Sequence, residues 1–157
     1  MIRCVLRGLA CLLAAFACAA CVSSGDGQQP SQQPALRYQP HSPLRGTYWK
    51  LVRLGDTPAQ VAEKQREPHL ILANFAPRVS GSGGCNRVTG TFELDGDKLR
   101  LRGMAGTRMA CLAGMEQEQR FLQSMEKVER YRISGNYLEV LDAGGAVIAR
   151  FEAVALR

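Results

Sequence analysis

The cysteines are the side chains of this 157-residue chain with the plainest chemistry. Four of the six lie in the first 21 residues, and only Cys85 and Cys111 lie beyond them. In an exported protein such a pair favours a disulfide, because exported compartments are oxidising. Two buried free thiols and a metal site are the alternatives. Metal binding is disfavoured, because neither cysteine belongs to a C-x-x-C motif and the two histidines, His41 and His69, stand apart.

An arginine lies close to each of these cysteines. Because a guanidinium binds oxyanions through two parallel N–H groups, Asn86, Arg87 and Arg108 are candidate contacts for an anionic ligand or partner. The alternative is that the arginines are surface or strand-packing residues and that Asn86 turns the backbone. The glycine-rich stretch 79–84 lacks the Gly-Lys-Ser/Thr of a phosphate-binding loop and predicts a tight turn.

The sequence offers no catalytic residue that we can assign. It contains neither the G-x-S-x-G of a hydrolase nor the H-E-x-x-H of a metalloprotease. We therefore predict a protein without enzymatic activity, cofactor or metal. Trp49, the single tryptophan, is predicted to lie in the core of the first strand, with a contact to a ligand or partner as the alternative.

Residues 1–20 have the layout of a secretory signal peptide. Arg3 and Arg7 precede an apolar run over 9–20, which is shorter than the ~20 residues a membrane-spanning helix needs. Two alanines stand directly before Cys21, so this thiol is predicted to be lipidated and to begin the mature protein. Lipidation of Cys18 and an ordinary cleaved signal are the alternatives.

Residues 21–43 are predicted to form a lipid anchor followed by a flexible tether. The segment is rich in Ser, Gly, Gln and Pro and contains too few apolar residues to fold. As a random coil it would place the following domain roughly 25 Å from the anchor. The net charge of +6 is spread along the chain, and no nucleic-acid-binding motif accompanies it. We expect a monomer that does not bind nucleic acid.

The folded domain is predicted to span residues 44–157. Alternating apolar residues predict strands, and a helical repeat of apolar residues predicts one helix over 114–128. The strands are predicted at 48–54, 69–75, 78–81, 88–94, 98–102, 131–133, 137–141 and 146–154. Strands, one helix and further strands in this order favour an α+β domain with an antiparallel sheet.

Three stretches of the chain resemble the META domain, a family that includes HslJ-type heat-inducible envelope lipoproteins. They are Gly46-Thr47-Tyr48-Trp49-Lys50-Leu51, the segment from Val79 to Gly90 around Gly84-Cys85-Asn86-Arg87, and Thr107-Arg108-Met109-Ala110-Cys111 with Met115 to Leu122. The resemblance covers about residues 44–155. It implies an antiparallel sheet curved into a partial barrel and packed on one main helix, and it implies no known enzymatic activity.

The resemblance also suggests a role. We expect a non-catalytic outer-membrane lipoprotein that faces the periplasm and acts in envelope maintenance or in the response to heat or antibiotic stress. It would do so by binding another envelope component, a protein or a lipid. Val22 after the lipidated cysteine, in place of Asp, is typical of outer-membrane sorting. The alternative is a carrier of lipid or another small hydrophobic ligand, or a lipoprotein similar to a secretion pilot.

Each of these functions makes a different demand on the structure. A protein-binding module should expose an apolar or aromatic patch near Trp49 or the helix. A carrier should enclose an apolar cavity between sheet and helix. An enzyme should hold an acid or base with a perturbed pKa in a cleft.

Substitution of the predicted anchor residue gives the first test. Cys21→Ser should release the protein from the membrane fraction and leave the domain folded, because the acyl chains would be lost and no core residue changed. Fractionation followed by immunoblotting measures the release. A variant that still sediments with membranes would show that the anchor lies elsewhere.

Overall fold

The computed structural model describes residues 41–155 of the chain. The predicted signal peptide, both candidate lipidation sites and most of the predicted tether therefore lie outside the described residues. The elements, in chain order, are β1 Tyr48–Leu54, β2 Thr57–Pro58, β3 His69–Leu72, β4 Arg78–Ser82, β5 Arg87–Asp95, β6 Lys98–Gly106, α1 Met115–Met125, β7 Arg130–Ser134, β8 Tyr137–Leu141 and β9 Val147–Val154.

The strands form one antiparallel sheet that closes on itself. Its order follows the chain from β3 to β9, and β9 pairs with β1 from Tyr48↔Val154 to Leu54↔Ala149. On its other edge β1 pairs with β3 and, at its end, with the two-residue β2. The prediction of an α+β domain with an antiparallel sheet curved into a partial barrel on one helix is confirmed.

The first strand shows how sequence produces the inward face of this sheet. Trp49 and Leu51 alternate with partly buried residues and point into the core. A register shift between Leu51 and Arg53 marks a β-bulge in the pairing with β9. Because the bulge adds one residue, the next inward side chain is Leu54 and not Arg53.

The helix packs its apolar side chains into the core of the sheet. Strands β6 and β7 are joined by the single register pair Lys98↔Arg130, and α1 lies between them in the chain. Phe121 and Met125 of the helix are fully buried, and the Phe121 ring meets Phe151 of β9 edge-on at 6.3 Å between centroids. The helix thus contributes two fully buried side chains to the core. No helix among residues 41–155 is long and apolar enough to cross a bilayer.

The helix is shorter than its apolar repeat suggests. The predicted range was 114–128, but α1 ends at Met125. The N–H of Lys127 donates to Ser124 O and that of Val128 to Met125 O, so the last turn tightens to i→i−3 bonds. Val128 remains buried, because this tighter turn still directs its side chain to the core.

Two predicted strands differ from the structure by more than one residue at an end, and a further strand was missed. β3 ends at Leu72, whereas the sequence predicted an end at 75, because residues 74–77 form the bends that lead into β4. β6 runs on to Gly106, whereas the sequence predicted an end at 102. Gly103 adopts a positive φ of 59°, and the register against β5 shifts between Thr89 and Thr91, so the glycine allows a bulge and does not end the strand. The short β2 was missed, because its two exposed residues carry no apolar alternation.

The core that the structure describes is made within the predicted domain. All its buried apolar residues lie between Leu44 and Phe151. The largest of the fully buried side chains are Trp49, Phe121 and Phe151. Residues 41–155 therefore contain a hydrophobic core of their own.

Candidate functional site: two linked loops and a basic cleft

A disulfide joins two loops at one end of the barrel. Cys85 lies in the turn between β4 and β5, and Cys111 lies in the loop between β6 and α1. Their Cα atoms are 6.1 Å apart, and the two cysteines are 26 positions apart in the chain. This is the pairing that the sequence favoured over free thiols and a metal site. The bond holds the loop before the helix against the glycine-rich turn.

Asn86 connects the same two loops by hydrogen bonds. Its Oδ1 accepts from the Thr107 hydroxyl at 2.7 Å and from the Met109 N–H at 2.8 Å. Its Nδ2 donates to Glu118 Oε1 on the helix at 2.7 Å. The side chain is buried and its amide is saturated. Asn86 therefore organises the two loops through its side-chain amide, which bonds to the segment 107–109 and to the helix and not to the backbone of its own turn.

Glu118 is a buried carboxylate that is satisfied by amide groups. Its side chain is 6% exposed, and Oε2 accepts the backbone N–H of Asn86 at 2.6 Å. In the described part of the chain, no Lys, Arg or His nitrogen lies within 4.0 Å of this carboxylate. Glu118 also lies in the first turn of α1, where the partial positive charge at the N-terminal end of the helix attracts a carboxylate.

The glycine before the disulfide is required by this carboxylate. A Cβ at Gly83 would lie 2.8 Å from Glu118 Oε2 and 2.9 Å from its Cδ, closer than side-chain atoms approach in real proteins. The hydrogen bond from the Gly83 N–H to Asn86 O, at 2.9 Å, closes the turn. The glycine-rich stretch thus ends in the tight turn that the sequence predicted, and there it lets backbone pass close to the helix.

A cleft of about 510 Å³ opens beside the disulfide. Residues from three chain segments line it: Lys64, Gln65, Arg66, Ser82, Gly84, Cys85, Asn86, Arg87, Thr107, Met109 and Cys111. Arg87 belongs to this lining and Arg108 does not, although both side chains are exposed. Of the two arginines predicted to form an anion clamp, the structure therefore places only Arg87 at the cleft.

The other cations of the cleft were missed by sequence reasoning. Lys64 and Arg66 come from the loop between β2 and β3, where no apolar repeat fixes the position of the chain. Gln65, between them, donates its Nε2–H to Ala113 O at 2.7 Å and so ties this loop to the segment before α1. The two cations at alternate positions in Lys64-Gln65-Arg66 were the only sequence feature that could have indicated them. Such a pattern is common on protein surfaces and so does not identify a site.

Trp49 was the remaining candidate for a contact with a ligand or partner, and this interpretation is wrong. Its side chain has no exposed surface, and its Nε1–H donates to Leu44 O at 2.9 Å inside the core. The indole polar atom is thus satisfied by the chain that leads into β1. The interpretation of Trp49 as a core residue is the one that the structure supports.

Three large apolar side chains near the disulfide remain in solvent. We call Met109, Leu112 and Met115 the apolar patch. Leu112 is fully exposed, Met109 is 59% exposed and Met115 is 46% exposed. The patch follows the disulfide-linked loop into the first residue of α1. The discriminating feature expected of a binding module, an exposed apolar patch near the helix, is therefore present.

Tyr48 has a shifted pKa, which is the property expected of a catalytic acid or base. Its ring stacks on His69 at 4.2 Å between centroids. Burial, followed by the nearby Glu67 carboxylate, raises the pKa of Tyr48 to about 12. Tyr48 is thus a neutral hydroxyl throughout the physiological pH range.

Within residues 41–155, no three His, Cys, Asp or Glu side chains are grouped so that they could hold a metal ion.

Removal of the disulfide gives a stability prediction. Cys85→Ser and Cys111→Ser should each lower the free energy of unfolding by a similar amount, roughly 3.5 kcal/mol from the entropy of closing this loop. The double variant should lose no more than either single variant, because all three break the same bond. Chemical denaturation under oxidising conditions measures this. A double variant that loses the sum of the single losses would contradict the pairing.

Neutralising the buried carboxylate gives a second prediction. Glu118→Gln replaces one acceptor oxygen by an NH2 group, which would face a donor on Asn86. We expect a loss of about 1–3 kcal/mol in the free energy of unfolding, the cost of an unsatisfied buried group. Glu116→Gln is the matched control, since Glu116 is exposed in the same helical turn. Equal effects at the two positions would mean that only helix charge matters.

Comparison with known proteins adds the family. Residues 42–155 match the META domain. The fold is similar to an NMR structure of a protein from Burkholderia xenovorans, with 24% identity over 82% of this chain and 99% of that chain, and a TM-score of 0.60. A second NMR structure shares 21% identity over 68% of this chain and 87% of its own, with a TM-score of 0.53. At such identities the likeness shows the fold alone, and no curated protein matches the sequence. The match over residues 42–155 shows that the chain belongs to the META domain family.

Proposed function

We propose that this protein is a non-catalytic outer-membrane lipoprotein whose META domain faces the periplasm and binds another envelope component. The observation that supports binding is the apolar patch of Met109, Leu112 and Met115. Clustered apolar side chains in solvent are typical of interaction surfaces, because burying them on a partner is favourable. The setting in heat or antibiotic stress, or in envelope maintenance, is supported by the resemblance to envelope lipoproteins.

The patch is held in place before any partner arrives. The disulfide fixes Cys111, between Met109 and Leu112, and Asn86 holds the backbone of Met109. On the other side, Gln117 exchanges two hydrogen bonds with the backbone of Gln60, at 2.9 and 2.8 Å. A loop that is already ordered loses less conformational entropy on binding. Such a constraint on an exposed loop supports a role in recognition.

The alternative of a ligand carrier receives less support. A carrier needs space between sheet and helix, and here that space holds the fully buried side chains of Phe121, Phe151 and Met125. Small barrels filled by side chains are packed cores, not containers. Binding at the outer surface is therefore the better-supported function, and it applies to a protein partner and to a lipid partner alike.

Site-specific photo-crosslinking in cells tests this proposal. A photoreactive residue at Leu112 should capture one envelope component reproducibly, because the patch is buried in the complex. Phe75 is the matched control, since it is also apolar and fully exposed but lies in the turn between β3 and β4, at the other end of β4 from the disulfide. Mass spectrometry identifies the captured species. Equal capture from positions 75 and 112, or none from either, would contradict the proposal.

A further inference from the structure

The cleft beside the disulfide has a one-sided charge. Lys64, Arg66 and Arg87 line it, and no Asp or Glu is among its lining residues. Two of the three cations come from the β2–β3 loop and one from the start of β5, so the folded chain, not the local sequence, brings them together. A concave site lined by one sign of charge raises the local concentration of counter-ions. Such a cleft favours an anion.

These charges are available to a ligand. In the described part of the chain, no carboxylate oxygen lies within 4.0 Å of a side-chain nitrogen of Arg66 or Arg87. Lys64 has one such neighbour, Glu63 at 3.8 Å, and both side chains are almost fully exposed. An ion pair between exposed groups is weak, because water and salt screen it. The buried Glu118 faces Asn86 and does not line the cleft.

The neutral polar groups of the cleft already have partners. Thr107 donates its hydroxyl to Asn86, and Gln65 donates to Ala113 O. The Ser82 hydroxyl accepts from the Gly84 N–H at 3.1 Å and donates to Asn86 O at 3.1 Å. The charged donors of the cleft are therefore the two guanidinium groups and the ammonium group. Guanidinium groups match the oxygens of phosphate in a bidentate geometry.

One residue of the cleft also belongs to the apolar patch. Met109 lines the cleft and is also the first residue of the apolar patch. The next member, Leu112, lies directly after the disulfide and is fully exposed. A ligand that fits both regions carries a phosphate on a body whose remainder is apolar. A sugar phosphate would leave the patch in water, whereas a phospholipid would place its acyl region there.

We infer that the cleft binds the phosphate of an anionic phospholipid headgroup, with Lys64, Arg66 and Arg87 on the phosphate and the apolar patch against the acyl region. This rests on the proposed function and names the chemistry of the envelope component. A domain tethered close to a bilayer needs only weak affinity for its lipids, because the tether keeps their effective concentration high.

Vesicle binding of the purified protein is the test. The mature chain from residue 21 contains all the described core residues, and Cys21→Ser removes any acyl anchor. After oxidative folding it should sediment with vesicles of phosphatidylcholine plus phosphatidylglycerol and not with phosphatidylcholine alone. The double variant Arg66→Gln/Arg87→Gln should lower the partition coefficient by at least about tenfold, since each cation near an anionic surface contributes roughly fivefold.

The matched control removes the same charge elsewhere. Arg78→Gln/Arg102→Gln alters two exposed arginines that face each other across Thr91 of β5 and do not line the cleft. It should lower partitioning a few-fold at most, through net charge alone. Equal losses in the two double variants would show diffuse attraction and overturn the inference. Thermal unfolding of each variant verifies that the fold is retained.

Two further experiments test the apolar patch and the anion site separately. Leu112→Ser should weaken vesicle binding without changing the charge, whereas Phe75→Ser should not. Inorganic phosphate, followed by NMR shifts of Arg87 and Cys85, probes the cleft without lipid. Phosphate binding without vesicle binding would keep an anion site and overturn phospholipid as its ligand. A protein captured in cells from Leu112, together with no vesicle binding, would overturn this inference and leave the proposed function standing.

Discussion

The contact between Asn86 and the buried carboxylate of Glu118 is the constraint on which the rest of the site depends. A carboxylate at this depth must have its oxygens satisfied, and the amide groups of one asparagine supply the donors. To supply them, the β4–β5 turn must approach the helix so closely that only glycine fits at position 83. The same approach brings Cys85 within reach of Cys111. Helix position, turn geometry and disulfide are therefore parts of one arrangement.

In this arrangement the inward-facing polar atoms are hydrogen-bonded within the protein, so the groups that could bind a partner are those at the surface. The side chains that form the network are the buried Glu118 and the shorter Asn86, Thr107 and Ser82, which bond to each other and to backbone. The long cationic chains and the apolar patch have no such partners and extend into solvent. The residues that hold the site together and those that could recognise a partner are thus different residues, although they alternate along the same short segments.

Sequence alone predicted the fold better than the site. β1 was predicted with the bounds Tyr48–Leu54 that the structure shows, because alternation over seven residues is a strong local signal. The helix was predicted to end too late, because Val128 continues the apolar repeat after the backbone has changed to i→i−3 hydrogen bonds. Lys64 and Arg66 could not be predicted at the cleft, because their position depends on contacts of the β2–β3 loop with distant segments, such as the bond from Gln65 to Ala113. Trp49 shows the opposite case: its burial follows from the same alternation that places β1.

The position of β1 within the closed sheet has a mechanical consequence. The chain that leads from residue 41 enters β1, which is hydrogen-bonded to β9 along one edge and to β3 and β2 along the other. Before the strand begins, the Gly46 N–H also bonds to Leu72 O at 2.7 Å. A pull on the N-terminal side would load these bonds along the strand axis, in shear, so that many would have to break together. The closed sheet therefore gives the first strand of the described residues hydrogen bonds along both edges that oppose a pull from the N-terminal side.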